Sequence, residues 1–341
     1  MITARWAPYR LNFKFEARTS RQSMRVKDTW LIQLTDDATG RTAWGECALF
    51  AGLSADDFPD YEERLRRALA APETPAPESS IRFGIETAMR RLRGTDGPDT
   101  PFARGSEGLP INGLIWMGNR ELMRKRIDRK LAQGFKVLKL KIGGIDFADE
   151  LELLRYVRQA YSPADLTLRL DANGSFSPAD ALERIKRLSD FGIHSIEQPV
   201  RAGQPDVMAR LCEQSPIDIA LDEELIGTPD ADSARQLLDT IRPAYIILKP
   251  ALCGGLSGAD LWADTAESMG IGWWATSALE SNIGLDAIAR WVAARRHDLP
   301  QGLGTGQLYT NNIPSPLRLR GERLYTDPAG TWTYPELLWR Q

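Results

Sequence analysis

The chain has 341 residues, 43% of them hydrophobic and 26% charged, with a formal net charge of −3. That composition fits a soluble globular protein and excludes a disordered, collagen-like or coiled-coil chain; the length predicts two domains, or one large α/β barrel with an appendage. No long basic cluster supplies the concentrated field a nucleic acid requires, so the expected partner is a small molecule.

In chain order, charged residues follow Met1 closely (Arg5, Arg10, Lys14, Glu16), without the apolar core of a signal peptide, and no apolar run is long enough for a membrane span. Thr29 to Thr35 and Thr42 to Gly45 read as antiparallel strands, and Tyr61 to Ala71 and Ile81 to Arg93 as helices, which together predict a separate α+β domain. The polar stretch Arg18 to Arg25, and Gly45-Glu46-Cys47 with Gly52-Leu53-Ser54, read as mobile loops of that domain. Gly94 to Pro110, rich in Gly, Pro, Ser and Asp, reads as a linker.

From residue 111 onward, short apolar runs alternate with amphipathic stretches. The runs are Asn112 to Met117, Phe135 to Lys141, Leu166 to Asp171, His194 to Glu197, Ile217 to Asp222, Ala244 to Lys249, Gly270 to Thr276, and a weak one at Pro300 to Gly304. Eight strands joined by seven helices, among them Arg120 to Gln133 and Pro178 to Phe191, predict an α/β fold with a closed (β/α) barrel. The expected division is an α+β domain over 1–105, the barrel over 106–315, and a segment over 316–341, with Trp332, Tyr334 and Trp339, that returns to the first domain.

Three widely separated cysteines, Cys47, Cys212 and Cys253, suggest neither a disulfide framework nor a zinc site, and fit a reducing cytoplasm. The two histidines, His194 and His297, leave little material for a His-rich metal site or a Ser-His-Asp triad, which turns acid–base chemistry over to lysines or carboxylates. Lys141, Asp171, Glu197, Asp222 and Lys249 each close a strand-like run, one βα unit apart, and charges at the C-terminal ends of barrel strands converge on one mouth. Taken singly, each carboxylate could cap the helix after its strand. Three on adjacent strands would repel one another unless a cation lay between them, and hard oxygen ligands favour Mg²⁺, or Mn²⁺, over zinc.

Lys139 and Lys141 are two apart and point to the same side of their strand. If that side is the barrel interior, neighbouring cations and partial burial would lower a lysine pKa toward the range of a base. Lys249 would face them from across the barrel; the alternative is a strand-end lysine that snorkels to the surface. Arg169, on the same strand face as Asp171, is a further interior candidate, either for substrate binding or for structure. The glycine-rich runs Ala278 to Gly284 and Gly302 to Gly306 would let backbone N–H groups approach an anion, although such turns are also ordinary loop chemistry.

Lys139-Leu140-Lys141, Asp171-Ala172-Asn173, Glu197-Gln198-Pro199, Leu221-Asp222-Glu223, Lys249-Pro250 and Ser277-Ala278-Leu279-Glu280-Ser281 together resemble the enolase superfamily, muconate-lactonizing-enzyme subgroup. Within it, Leu279 to Gly284 and Gly302 to Tyr309 are most similar to the o-succinylbenzoate synthases. The resemblance implies an N-terminal α+β capping domain over a modified (β/α)₇β barrel. It implies Mg²⁺ held by Asp171, Glu197 and Asp222, with Asn173 and Glu223 supporting them from behind. It makes Lys141 the base that abstracts a proton and returns it to a departing hydroxyl, Lys139 its supporting cation, and Lys249 the cation over the opposite face of the ring. Thr276, Ser277 and Gly302 would contact the succinyl carboxylate.

The implied reaction is dehydration of 2-succinyl-6-hydroxy-2,4-cyclohexadiene-1-carboxylate to o-succinylbenzoate in menaquinone synthesis. Alternatives on the same site are N-acylamino acid racemase, dipeptide epimerase and muconate cycloisomerase. The epimerases carry an Asp-x-Asp where this chain has Gly304-Thr305-Gly306. A Schiff-base enzyme using Lys249 or Lys141 would leave three convergent carboxylates unexplained, and intact lysines and acids argue against a non-catalytic scaffold. Neither a nucleic acid nor a membrane is an expected partner; a homo-oligomer stays open.

Overall fold

The computed structural model describes residues 1–18, 23–96 and 99–341. β1 (Ile2–Arg18) runs antiparallel to β2 (Ser23–Asp36), which pairs on its other side with β3 (Thr42–Cys47). β1 is absent from the sequence expectations, although buried Leu11, Phe13 and Ala17 alternate with exposed Arg10, Asn12, Lys14 and Glu16. Pro8 interrupts the apparent strand, yet β1 is an edge strand, where a proline costs the ladder nothing.

α1 (Tyr61–Leu69) and α2 (Ser79–Arg93) pack on this sheet. α2 lies so close to β3 that a Cβ at Gly84 would stand 2.5 Å from Cys47 Sγ, and one at Gly45 would stand 2.1 Å from the Gly84 carbonyl oxygen. Gly45-Glu46-Cys47 is therefore buried strand rather than mobile loop. Of the polar stretch, Arg18 ends β1 and Ser23 to Arg25 open β2, while residues 19–22 lie outside the described residues. The expected linker also differs: Thr100, Phe102 and Leu109 are buried, so it is packed where it is described, residues 97–98 lying outside.

β4 (Leu109–Pro110) precedes the barrel, which consists of β5 (Gly113–Ile115), α3 (Arg120–Ala132), β6 (Val137–Lys141), α4 (Phe147–Ala160), β7 (Thr167–Asp171), α5 (Ala181–Ser189), β8 (Ser195–Glu197), α6 (Pro205–Gln214), β9 (Asp218–Leu221), α7 (Ala231–Ile241), β10 (Tyr245–Leu248), α8 (Gly255–Ser268), β11 (Gly272–Ala275) and α9 (Asn282–Arg295). β5 to β11 form one parallel sheet in sequence order. The weak eighth strand shrinks to two residues that close the ring, Gln301 bridging to Ile111 and Gly302 to Thr276, both parallel. Closure needs the glycine, because a Cβ at 302 would lie 2.4 Å from Thr276 Oγ1. The fold is a modified (β/α)₇β barrel with an N-terminal α+β cap. The main apolar core lies between the sheet and the surrounding helices, continuous from Leu138 and Leu140 through Leu168, Leu170, Ile196 and Ile219 to Ile246 and Leu248.

After the barrel, β12 (Leu317–Arg320) and β13 (Arg323–Thr326) form a hairpin, and β13 pairs with β4. The chain then runs along the capping sheet, where Trp44 stacks on Tyr334 at 4.2 Å and meets Trp339 edge-on at 5.0 Å. The Arg340 N–H donates to the Trp6 carbonyl at 2.7 Å. Among the described residues no helix is long and apolar enough to cross a membrane.

One buried carboxyl shapes the loop that follows β6. Glu150 on α4 is 2% exposed and accepts the Gly143 N–H on Oε1 at 2.5 Å, while Oε2 has no hydrogen-bond partner among the described residues. Burial pushes its pKa up to about 7, against the opposing pull of the Gly143, Gly144 and Ile145 N–H groups. A folded-state pKa above the unfolded one stabilises fully below the ordinary carboxyl range and is lost as pH rises through about 7. Urea unfolding at pH 5 and pH 8 should therefore show the native chain losing up to about 3 kcal/mol relative to Glu150→Gln. A difference between the two proteins that does not change with pH would contradict this.

Candidate active site

Strand register assembles the polar residues. Lys141 pairs with Asp171 across β6 and β7, Asp171 pairs with Glu197 across β7 and β8, and Glu197 pairs with Ala220 two residues before Asp222. Because side chains alternate along a strand, Lys139 shares an interior column with Lys141, as Arg169 does with Asp171. The acids, at the C-terminal ends of their strands, are at most 2% exposed, and Lys139 and Lys141 are 3% and 8% exposed.

Each ammonium is seated on carboxylates. Lys139 Nζ lies 2.7 Å from Asp171 Oδ2 and 2.6 Å from Glu197 Oε2, bridging the two. Lys141 Nζ donates to Asp171 Oδ2 at 2.6 Å and to Asn173 Oδ1 at 2.8 Å. Lys249, from beyond β10, donates to Asp222 Oδ2. Asn173 adopts a left-handed backbone (φ 46°), which turns its amide back so that Nδ2 donates to Glu223 Oε1 at 3.2 Å. Gln198, also left-handed at φ 41°, accepts the Asp222 N–H on Oε1 at 3.0 Å and so fixes where that acid leaves β9.

The charges oppose one another unevenly. Burial would lower the Lys139 pKa, but Asp171 and Glu197 outweigh it and hold the lysine above its ordinary value; Lys249 is raised in the same way by Asp222 and Glu197. For Lys139 this is the reverse of the lowering expected from the sequence. Asp171, although buried, is pulled down by Lys139, Lys141 and Lys249. Glu197 is pushed well up, by burial and then by Asp171 and Asp222.

Among the described residues no three His, Cys, Asp or Glu side chains already converge as a metal cage, because the ammonium groups stand between the acids. The donor set nevertheless fits a hard divalent ion. Three buried carboxylates on successive strands supply oxygen ligands of the type Mg²⁺ prefers.

Above them opens a cavity of about 190 Å³. Lys139, Lys141, Lys249, Asn173 and Glu223 line it, as do Thr276, Ser277 and Gly302 at the barrel seam. Asp171, Glu197 and Asp222 lie beneath their lysines, outside its wall. Arg169 does not reach it, which corrects its expected role in substrate binding. Two residues before the rim on its strand, it lies one layer deeper, donating to the Pro300 carbonyl at 2.7 Å with its guanidinium 3.9 Å from the Trp274 ring centre. There it packs the barrel floor.

Several lining residues were not expected at the site: Asn112, Leu114 and Trp116 in and beside the first barrel strand, Leu252, Thr305, and Met24, Phe50 and Leu53 from the capping domain. The period-two spacing of Asn112, Leu114 and Trp116 was an available signal. Met24 and Leu53 fall in stretches the sequence marks only as loops, and it is the tertiary fold that brings them and Phe50 to the cavity.

Comparison with known proteins agrees with this geometry. The family model described as Enolase C-terminal domain-like matches residues 122–330. The o-succinylbenzoate synthase of Desulfotalea psychrophila is 44% identical, over 91% of this chain and 95% of its own. The L-Ala-D/L-Glu epimerase of Bacillus subtilis is 31% identical, over 82% and 81%. The crystal structure of MenC from Desulfotalea psychrophila superposes with a TM-score of 0.83 at 41% identity, covering 95% of this chain and 99% of that one.

Proposed function

The chain belongs to the enolase superfamily, and from that membership we propose that it catalyses the o-succinylbenzoate synthase reaction, the syn-dehydration of 2-succinyl-6-hydroxy-2,4-cyclohexadiene-1-carboxylate to o-succinylbenzoate in menaquinone synthesis. It would act as a carbon–oxygen lyase on a small carboxylate. The observation that carries the reading is the charge of the cavity wall: three lysines, Lys139, Lys141 and Lys249, against one acid, Glu223. Such a wall suits an anionic substrate without an ammonium group. The Gly302 to Gly306 seam adds no carboxylate to hold one.

Removing a proton beside a carboxylate concentrates two negative charges on one group. Asp171, Glu197 and Asp222 would hold Mg²⁺, which when bound supplies the positive charge that offsets them. Lys141, as the neutral amine, takes the proton from the ring carbon, and the C–H electron pair passes into the substrate's enediolate. As that pair moves on to form the aromatic ring, the C–O bond breaks, and the Lys141 ammonium gives its proton to the departing hydroxyl as water. Asn173 Oδ1, 2.8 Å from Lys141 Nζ, fixes the direction of that transfer. Lys139 keeps positive charge beside the Asp171–Glu197 pair, and Lys249 presents a cation to the opposite ring face. Thr276, Ser277 and Gly302, which line the cavity, would meet the succinyl carboxylate. Met24, Phe50 and Leu53 cover the mouth with apolar surface and exclude water.

Lysines on two walls also suit racemization of an N-acylamino acid, and that reaction is the second reading. Ultraviolet absorbance separates the readings: loss of the diene band with Mg²⁺, and none with EDTA, supports dehydration, whereas an unchanged diene transfers the site to an N-acylamino acid or a dipeptide. Lys141→Ala and Lys249→Ala should each lower kcat at least about a hundredfold, the scale of losing an acid–base group. Retained turnover in Lys141→Ala would remove it as the base. Calorimetric titration should show weaker Mg²⁺ binding by Asp222→Asn with the fold intact by circular dichroism; unchanged affinity would move that ligand to Glu223.

A further inference from the structure

The start of α9 is capped from the other domain. The N–H groups of a helix's N-cap and first three residues have no partner within the helix. Here all four are paired. Asn282 donates to Asn312 Oδ1 at 2.9 Å and Ile283 to Ser281 Oγ at 3.2 Å, while Ser281 and Gly284 both donate to Glu46 on β3, at 2.9 Å to Oε1 and at 3.0 Å to Oε2. The Ser281 hydroxyl donates to Oε2 as well, at 2.6 Å. In a capping box, an acid at the third helical position reaches back to the N-cap N–H. That position in α9 is Gly284, where a Cβ would stand 3.1 Å from Glu46 Oε2, and Glu46 supplies the acid from the capping sheet instead.

On the barrel side, the capped residue follows a turn that lines the cavity. Glu280 accepts the Ser277 hydroxyl and, at 3.1 Å, the Ala278 N–H; Ser277 Oγ accepts the Leu279 N–H at 3.0 Å, and the Tyr309 hydroxyl donates to the Leu279 carbonyl at 2.7 Å. Leu279 stands at φ 66°, a left-handed backbone that is strained for a leucine. Ser277, Ala278 and Leu279 are all cavity wall. On the capping side, β3 ends one residue after Glu46 and leads into a turn in which the Phe50 carbonyl accepts the Leu53 N–H at 3.0 Å and the Ser54 N–H at 2.9 Å. Phe50 and Leu53 line the same cavity. One carboxylate, 0% exposed, therefore ties together two walls that come from different domains.

Each oxygen of Glu46 faces a backbone N–H that cannot turn away, so both oxygens must be acceptors. A glutamine would set its NH₂ against one N–H or the other in either orientation and leave a buried donor unpaired. The Thr29 hydroxyl also reaches Oε1, at 3.0 Å, but from within the capping sheet. Arg91 holds the same junction by other bonds. From α2 it donates to the Trp44 carbonyl of β3 at 3.2 Å, to the Ile283 carbonyl at 3.2 Å and to Asp286 Oδ2 at 2.8 Å. With Arg91 docking the two domains, what the Glu46 carboxylate adds is the setting of one turn relative to the other.

We infer that Glu46 is a positioning residue: it fixes the Phe50–Leu53 turn of the cap and the Ser277–Leu279 turn of the barrel relative to each other, so that the two walls meet the substrate as one surface. Glu46 touches no reacting atom and acts through Ser281 and Gly284. The effect on the substrate rests on the dehydratase reading above; the coupling of the two turns does not.

The test compares the full-length native chain with Glu46→Gln, Ser281→Ala and Thr29→Val, by diene turnover with Mg²⁺ and by amide hydrogen exchange. Glu46→Gln should raise KM about tenfold with kcat changed less than about threefold. Exchange at Gly284, Leu279 and Leu53 should quicken together, about tenfold, with the barrel strands unchanged. Thr29→Val removes a bond to the same carboxylate without touching the barrel side, and should leave KM and the Leu279 exchange within about twofold of the native values. Faster exchange at Gly284 alone with KM unchanged would make Glu46 a helix cap only and overturn the proposal, as would an equal rise in KM from Glu46→Gln and Thr29→Val. If Glu46→Gln fails to fold, Ser281→Ala decides: faster exchange at Leu53, across the domain boundary, supports the coupling, and an unchanged Leu53 amide overturns it. If the native protein leaves the diene untouched, the reaction assignment falls and the exchange at Leu279 and Leu53 alone decides the role of Glu46.

Discussion

The site is governed by mutual repulsion among carboxylates that the strands force together. Asp171 and Glu197 are register partners on adjacent strands, and Asp222 follows on the next. Buried at this spacing, they cannot all remain ionised without positive charge among them. The chain supplies that charge from two directions. Lys139 rises between Asp171 and Glu197 from the column that also carries Lys141, and Lys249 reaches Asp222 from beyond β10. A divalent ion would relieve the same repulsion among the three acids. On this account the groups that would hold a metal and the groups that would move a proton form one electrostatic unit, and neither set would be stable at this depth alone.

That unit was legible in the sequence because it follows the period of the barrel. A charge closing each apolar run recurs once per βα unit, and strand register converts that recurrence into proximity. The lysine pair was readable for the same reason, since residues two apart share a face. Arg169 shows where the rule ends. It has the right face but lies one layer down, where a guanidinium packs against Trp274 and Pro300 instead of meeting a ligand. Periodicity gives the direction of a side chain, whereas depth depends on where the strand ends.

What escaped the sequence are the interactions without a period. Gly45-Glu46-Cys47 has the composition of a turn, and the Ser281 hydroxyl and N–H groups that define the role of Glu46 lie 235 residues away. β1 was hidden by Pro8, whose compatibility with a strand depends on β1 being an edge. The eighth strand was faint for a structural reason as well. Thr276 occupies the space a side chain at 302 would need, so the seam is built from glycine and two bridges rather than from β-branched residues.

The seam and the capping domain share a task that a complete barrel would not pose. With only two bridged residues closing the ring, the loops after β11 and after Gly302 have little sheet beneath them to set their shape. Glu46 capping α9, Glu280 bracing the Ser277–Leu279 turn and Tyr309 bonding the Leu279 carbonyl supply from above and within the loops the order that a full strand would have supplied from below. This arrangement makes one wall of the cavity depend on the capping domain as well as on the barrel. The floor, where the lysines and acids lie, is fixed by strand register, while the wall is fixed by side-chain hydrogen bonds across a domain boundary. Substitutions can therefore reshape the wall and change which substrate fits without disturbing the charges below.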